Sequence, residues 1–194
     1  MKRRAVTPRA VADAAGQVRI IGGRWRNTRL AIGDIAGLRP TGDRVRETLF
    51  NWLMPRLPGA RVLDLFAGSG ALGLEAVSRG AAAAVLVERD AAQAARLREA
   101  VARLQAAGQV TVAQDDALRW LDAAPAAGFD LVFLDPPFAA GLLPQVLPAL
   151  APHLAADAWI YVEAPEAPAV LPAGWEEHRQ MRTRETCCTL YRLR

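Results

Sequence analysis

A four-residue motif, Asp135-Pro136-Pro137-Phe138, follows the apolar run LVFL and combines residue types that can hold a planar amine. Proline cannot donate a backbone hydrogen bond to a neighbouring strand, so a simple strand end is one interpretation. Such an end requires neither an acid nor an aromatic residue. Asp135 supplies an acceptor, the prolines leave carbonyls without competing N–H donors, and Phe138 offers a face for a base. The motif predicts a site that holds an exocyclic amino group by its hydrogens and directs its nitrogen at a methyl sulfonium.

A second candidate site lies between Val62 and Gly73, VLDLFAGSGALG, where an apolar run breaks into glycines. The run predicts a buried strand, and the apolar residues after it resume at helical spacing. Gly68, Gly70 and Gly73 fit the spacing G-x-G-x-x-G, which predicts a turn whose backbone a ligand can approach. Close packing of a helix on a strand is the structural alternative. Asp64 favours the ligand-binding interpretation, because burying an acid inside a strand is costly unless hydrogen-bond donors reach it.

Acids after two later apolar runs favour a ligand that contains a nucleoside. Glu88 ends the run Ala81 to Val87, about twenty residues past the glycines, where a carboxylate can accept hydrogen bonds from ribose hydroxyls. Asp115 and Asp116 follow a predicted strand at Val110 to Ala113. One of them can accept a hydrogen bond from the amine of a bound base, and the other can cap the next helix. We expect Asp116 to be the acid that contacts the base.

The elements that must position these residues alternate between strand and helix patterns from Arg61 onward. Strands are predicted at 61–66, 84–88, 110–113, 129–134 and 157–163, helices at 71–79, 91–107 and 143–154, and two final strands within 175–194. This alternation predicts an α/β fold with a mostly parallel sheet. Ligands bind such sheets outside the carboxyl ends of the strands, where Asp64, Gly68, Glu88, Asp116 and Asp135 would converge.

The composition describes one ordinary globular domain with an appendage, since the chain has 194 residues, 52% apolar and 23% charged. No signal-peptide core follows the basic start, and the most apolar long region, residues 129–151, contains two acids and four prolines. A cytosolic location is the default expectation. Cys187 and Cys188 are adjacent, which disfavours a disulfide between them, and with His153 and His178 they form no zinc spacing. We expect no metal.

Positive charge is concentrated near the N-terminus. Residues 1–60 contain 12 Lys and Arg against 4 Asp and Glu, whereas residues 61–194 contain 12 against 16. Biased genome composition explains arginine in place of lysine but not this segregation. The planar guanidinium of arginine suits phosphate and stacks on bases, so we expect the N-terminal segment to bind a polyanion.

Residues 17–32, QVRIIGGRWRNTRLAI, predict a β-hairpin around Gly22-Gly23. Its exposed side chains would include several of Arg19, Arg24, Arg26 and Arg29. Arginine interleaved with Trp25 suits RNA through phosphate contacts and stacking. Packing of Trp25 on the domain is an equally favoured interpretation.

Residues 38–53, LRPTGDRVRETLFNWL, predict a turn followed by an amphipathic helix. One apolar stripe contains Val45, Leu49, Trp52 and Leu53. Thr41 or Asp43 can cap the helix. The helix start and its polar face would then carry Arg39, Thr41, Arg44, Arg46 and Glu47. Solvated charge is the usual explanation for such a face.

These motifs together resemble a known family. The run DLFAGSGALGLEA, followed by Glu88, Asp116 and DPPF, resembles class I S-adenosylmethionine-dependent methyltransferases that methylate amines. With RIIGGRWRNTRL and RPTGDRVRETLFNWL added, nearly the whole chain resembles the bacterial 16S ribosomal RNA guanine-N2 methyltransferases. The resemblance implies a Rossmann-like, mostly parallel seven-stranded sheet with helices on both faces. It also implies an N-terminal β-hairpin extension that engages ribosomal RNA in the small subunit.

The resemblance also implies a division of the chain and a set of site residues. The expected divisions are a flexible basic tail at 1–16, an RNA-engaging hairpin and helix extension at 17–58 and an S-adenosylmethionine-binding catalytic domain at 59–194. The catalytic residues would be Asp135, Pro136, Pro137 and Phe138. S-adenosylmethionine would contact Asp64, Phe66, Ala67, Gly68, Ser69, Gly70, Glu88, Arg89, Asp116, Ala117 and Asp135. From the charge of the hairpin and of the helix start, we expect substrate RNA to contact Arg19, Arg24, Arg26, Arg39, Thr41, Arg44 and Arg46. We expect a monomer, and the proton leaves to solvent or through Asp135.

Three other functions compete with this one. A nicotinamide-dependent oxidoreductase uses the same glycine pattern, but an acid inside the strand and a DPPF motif argue against it. An RNA-binding assembly factor that does not methylate is disfavoured by an intact DPPF motif. Adenine-N6 methylation of DNA or RNA shares the DPPF motif, and the N-terminal segments favour ribosomal RNA instead.

Overall fold

The computed structural model describes residues 16–31, 33 and 42–194. The strands are β1 (Gln17–Arg19), β2 (Arg29–Ala31), β3 (Arg61–Asp64), β4 (Ala83–Glu88), β5 (Val110–Gln114), β6 (Phe129–Leu134), β7 (Leu154–Ala164), β8 (Trp175–Arg182) and β9 (Cys187–Leu193). The helices are α1 (Asp43–Leu53), α2 (Ala71–Ser78), α3 (Ala91–Arg103), α4 (Ala117–Ala123) and α5 (Leu143–Ala149). Arg39, Thr41 and the predicted tail up to residue 15 lie outside the described residues.

A seven-stranded sheet in the order β5-β4-β3-β6-β7-β9-β8 organises the chain. The strands from β5 to β7 are parallel, and β9 and β8 complete the sheet in antiparallel orientation. This arrangement confirms the predicted mostly parallel α/β sheet and the predicted terminal strand pair. No helix among the described residues is long and apolar enough to cross a membrane.

Two predicted helices are shorter than expected, and one helix had no predicted range. The helix predicted at 91–107 ends at Arg103, and α4 was not predicted because its seven residues show too little periodicity. The helix predicted at 143–154 ends at Ala149. A short 3₁₀ turn follows it, and β7 already begins at Leu154.

Apolar side chains pack on both faces of the sheet. On one face, α1 buries Leu49, Phe50 and Leu53 completely, while the predicted stripe members Val45 and Trp52 are partly buried. The start of α1 differs from the prediction, because Gly42 precedes the helix and no side chain caps it. Asp43 is instead its first residue.

The N-terminal hairpin is present and lies against α2. β1 and β2 pair in antiparallel register with Val18 opposite Leu30, and both side chains are buried. The connection between the two strands is longer than a two-residue turn, and it packs against the C-terminal end of α2. There the amide of Arg24 donates to the carbonyl of Ser78 over 2.9 Å. At Gly23, with φ of +75°, a Cβ atom would lie 2.0 Å from that carbonyl oxygen, so the close approach requires glycine.

Candidate active site

The predicted site residues meet at the edge where β3, β4 and β6 end. These strands are parallel neighbours, and Asp64 is in register with Leu86 on β4 and Phe133 on β6. Glu88 ends β4, and Asp135 directly follows β6. The structure therefore brings Asp64, Glu88 and Asp135 to one edge of the sheet, as the pattern of strands predicts.

Asp64 is a buried acid that holds the first turn of α2. The residue is only 2% exposed, and its Oδ2 accepts a hydrogen bond of 2.9 Å from the amide of Gly73. Burial raises the pKa of Asp64 to about 7, and the negative charge of Glu88 also raises it, whereas the Gly73 amide lowers it. This internal hydrogen bond accounts for an acid in the strand. Direct contact of Asp64 with a ligand stays a prediction.

The three glycines have different roles. Gly68 and Gly70 have φ of +51° and +75°, so the turn needs residues that tolerate the left-handed region. A Cβ atom on Gly73 would lie 2.2 Å from Cδ2 of Leu86 and 3.2 Å from Cβ of Asp64. Gly73 therefore allows α2 to pack closely on the sheet, as the packing interpretation of the glycine pattern predicts. Gly68 and Gly70 instead shape the turn.

Glu88 and Gln93 fix the position of the glycine turn. Oε2 of Glu88 accepts from the amide of Gly68 over 2.9 Å, and Oε1 accepts from the amide of Asp90 over 2.7 Å. Nε2 of Gln93 donates to the carbonyl of Gly68 over 2.8 Å. Arg89 is exposed beside this turn. The glycine turn is thus bound on both sides, so its backbone is preorganised before a ligand arrives.

Asp116 caps the next helix, a role that the sequence analysis gave to the other acid of the pair, Asp115. Oδ1 of Asp116 caps α4 by accepting from the amides of Leu118 and Arg119, over 3.0 and 3.3 Å. Asp115 instead forms an ion pair with the Arg119 side chain. The sequence analysis expected one acid of the pair to cap the next helix, and the structure gives that role to Asp116. A contact between Asp116 and a base stays a prediction.

The other residues predicted to contact S-adenosylmethionine follow β3 and begin α4. Ala67, Ser69 and Ala117 are buried, and Phe66 is half-buried.

The DPPF motif forms an exposed ledge after β6. Asp135 is half-buried, Pro136 is buried, and Pro137 and Phe138 are exposed, with 43% of Phe138 accessible. A 3₁₀ turn begins at Phe138, and the carbonyl of Pro137 accepts from the amide of Ala140 over 3.0 Å. The prediction that the turn's carbonyls lack N–H partners is therefore wrong for Pro137.

A cavity of about 600 Å³ adjoins the last three residues of this motif. Its walls are mostly apolar and come from the motif, from α5 and from residues 163–172. Seven of the lining residues are prolines, which stiffens the walls: Pro136, Pro137, Pro144, Pro148, Pro165, Pro168 and Pro172. The sequence analysis gave residues 163–172 no role in the site, although the run APEAPAVLP was a visible sign of a rigid loop.

Arg46 is a buried structural residue, which corrects its assignment to RNA. Its side chain has no exposed surface. Nη1 donates to the carbonyl of Arg19 and to Oε2 of Glu75, over 2.9 and 3.2 Å, and Nη2 donates to Oδ1 of Asp43 over 2.7 Å. Helical periodicity placed Arg46 on a solvated face. The hairpin covers that face, so the guanidinium is out of reach of RNA.

Glu75 is the partner that the sequence analysis missed. It lies fully buried on α2 and also accepts from the amides of Ile21 and Gly22, each over 3.1 Å. Arg79 donates to the same carboxylate over 2.7 Å. The sequence signal for a buried ion pair was the single acid inside the otherwise apolar helix ALGLEAVS.

The other predicted RNA residues in the described part of the chain lie on the surface. Arg19, Arg24, Arg26 and Arg44 are exposed, although Arg19 forms an ion pair of 2.9 Å with Asp43. The guanidinium of Arg24 stacks over the ring of Trp25, 4.1 Å from its centroid. Trp25 is partly buried against the core, so it packs the hairpin on the domain and also supports Arg24. Their contacts with RNA stay predictions.

The seven-stranded order, the acid-flanked glycine turn after β3 and the DPPF ledge after β6 define a Rossmann-like class I methyltransferase. The chain belongs to the family described as Conserved hypothetical protein 95, which matches residues 18–192. Ribosomal RNA small subunit methyltransferase D of Escherichia coli K12 is 46% identical over 183 residues, covering 92% of this chain and 91% of that protein. Its Haemophilus influenzae counterpart is 43% identical over 168 residues, covering 84% and 87%. The solved structure described as putative methyltransferase yhhF from Escherichia coli has a TM-score of 0.83 at 44% identity. The match covers 92% of this chain and 98% of that chain. These similarities confirm the family resemblance found in the sequence.

Proposed function

We propose that this protein transfers a methyl group from S-adenosylmethionine to the exocyclic N2 amine of a guanine in 16S ribosomal RNA. The observation that carries the proposal is the position of the DPPF ledge beside the glycine turn, on the neighbouring strands β6 and β3. A donor on the turn and a base on the ledge would meet at one edge of the sheet. The names of the close relatives support ribosomal RNA as the substrate.

The side chains at this edge fit the donor. Glu88 and Asp116 are acceptors suited to ribose hydroxyls and an adenine amine, and the turn at Gly68 and Gly70 follows β3 at the edge where ligands bind such sheets. Glu88 and Asp135, at the ends of the two strands that flank β3, suit a cation, and S-adenosylmethionine carries both a sulfonium and an ammonium group. The same acids disfavour the pyrophosphate of a nicotinamide dinucleotide.

When bound, S-adenosylmethionine supplies a methyl group on a positively charged sulfur. Asp135 accepts a hydrogen bond from the N2 amine, and Phe138 stacks on the base, so the nitrogen lone pair is turned out of conjugation toward the methyl carbon. Methyl transfer would form the N–C bond of the product and break the C–S bond of the donor. The amine then loses a proton to solvent or to Asp135.

We further propose that the partner is 16S ribosomal RNA or the small subunit, that the protein acts in the cytoplasm as a monomer, and that no metal takes part. Within the described part of the chain, no three His, Cys, Asp or Glu side chains form a group that could hold a metal ion.

The test uses radiolabelled S-adenosylmethionine with small subunits from cells that lack this protein. We expect one guanine to gain one methyl group at N2, located by mass spectrometry. Transfer to adenine, or equal transfer to duplex DNA, would contradict the substrate assignment. Binding of small subunits without any transfer would indicate an assembly factor.

A further inference from the structure

A second carboxylate, Glu163, lies beside Asp135 at the edge of the sheet. Leu134 on β6 is in register with Val162 on β7, so the next residues, Asp135 and Glu163, are at the same level on adjacent strands. Adjacent strands are about 5 Å apart. Both acids act on one neighbour, since burial and then the charges of Glu163 and Asp135 contribute to raising the pKa of Tyr161. The two acidic residues therefore lie side by side at this edge.

A buried tyrosine holds the side chain of Glu163 in place. The residue is only 7% exposed, and its Oε2 accepts a hydrogen bond of 2.9 Å from the hydroxyl of the fully buried Tyr161. Glu163 also belongs to the wall of the cavity beside Pro136 and Phe138. An acid this buried, held by a tyrosine and next to the ledge for the base, is suited to recognition.

The hydrogen-bonding edges of the bases distinguish guanine from the other three at such a pair. An ionised carboxylate only accepts hydrogen bonds. Guanine presents two adjacent donor groups, N1–H and the N2 amine, on its Watson–Crick edge. Adenine and cytosine present an amine beside an acceptor nitrogen, and uracil presents one N–H between two carbonyls. Two neighbouring acceptors therefore match guanine alone, when the enzyme reads this edge of an unpaired base.

We propose that Glu163 selects guanine by accepting the N1–H of the base whose N2 amine is held by Asp135, an inference that rests on the proposed function. Glu163 is then the specificity-determining residue, and Tyr161 is a positioning residue that orients it. An adenine in the same place would put its N1 lone pair against the carboxylate, which disfavours binding.

The test compares guanine with 2-aminopurine at the mapped target position of the RNA. Both bases carry the amine at C2, but N1 of 2-aminopurine is an acceptor. The wild-type protein should methylate guanine at least about tenfold faster than 2-aminopurine, because a carboxylate cannot pair with that nitrogen. Glu163→Gln can donate from its amide to this nitrogen, so the ratio of the two rates should fall by about tenfold or more. Tyr161→Phe should lower the ratio less, since it removes only the orienting hydroxyl.

Glu177→Gln, an exposed change on β8, is the matched control and should keep the wild-type ratio. Thermal melting and S-adenosylmethionine binding of each variant would show that the fold and donor site are intact. An unchanged ratio in Glu163→Gln, with general loss of rate on both bases, would overturn the proposal while the proposed function stands. Absence of guanine methylation by the wild-type protein would overturn both.

Discussion

Arg46 and Glu75 form an ion pair in which neither side chain has exposed surface, with 3.2 Å between Nη1 and Oε2. The pair joins α1 to α2, and Glu75 also holds the hairpin through the amides of Ile21 and Gly22. Because α2 begins directly after the glycine turn, the hairpin and the donor site are connected through one buried cluster. The basic surface is thus held in a fixed position relative to the proposed chemistry.

Replacing Arg46 should strongly reduce stability. Arg46→Met leaves a buried carboxylate with fewer donors, and removing one partner of a buried ion pair costs about 3–5 kcal/mol. Urea unfolding followed by circular dichroism would measure the loss. Arg56→Met is the control, because Arg56 and Asp157 form an exposed pair, and its effect should stay within about 1 kcal/mol. Equal losses in the two variants would contradict a structural role for Arg46.

Asp64 should give the protein a specific dependence of stability on pH. Its pKa in the folded protein is raised from 3.8 to about 7. Between about pH 4 and pH 7 the folded protein holds a proton that the unfolded chain has lost. The stabilisation from this group is therefore complete at acidic pH and is lost as pH rises toward 7, by about 1.4 kcal/mol per pH unit.

Asp64→Asn keeps an acceptor for the Gly73 amide and cannot titrate, so it should flatten this part of the profile. Urea unfolding at several pH values between about 4 and 8 would compare the two proteins. The same slope in both would show that Asp64 does not hold the extra proton.

The sequence predicted the central sheet and the convergence of Asp64, Glu88 and Asp135, because both follow from local patterns of apolar runs and strand ends. It did not predict the burial of Arg46, whose partner Glu75 lies 29 residues away and on another helix. Periodicity within one helix cannot show which neighbouring element covers its polar face. The sequence indicated a cap by one acid of the pair Asp115 and Asp116 but did not identify Asp116, since a helix as short as α4 has almost no periodic signal to fix its first residue.

Asp135→Ala should nearly abolish methyl transfer while the donor still binds. The carboxylate acts on the amine of the base, and loss of one such acceptor at the reacting group lowers the rate by about 100-fold or more. Calorimetry with S-adenosylmethionine and an assay with radiolabelled donor would measure the two properties. Glu88→Ala should show the opposite pattern, with donor affinity lost first, because Glu88 also holds the amide of Gly68. Equal loss of both properties in Asp135→Ala would contradict this separation of roles.

Arg24 and Arg26 should contribute electrostatically to RNA binding. Both are exposed on the hairpin, where guanidinium groups can neutralise phosphates and release counterions. Replacing both by alanine should weaken binding to 16S ribosomal RNA and reduce the slope of log K against log salt by about 1–2. Titrations at four salt concentrations would measure that slope. The double variant of Arg182 and Arg184 is the control, since both are exposed near the opposite end of the chain and should leave the slope unchanged. Unchanged binding in the Arg24 and Arg26 variant would place the RNA elsewhere on the surface.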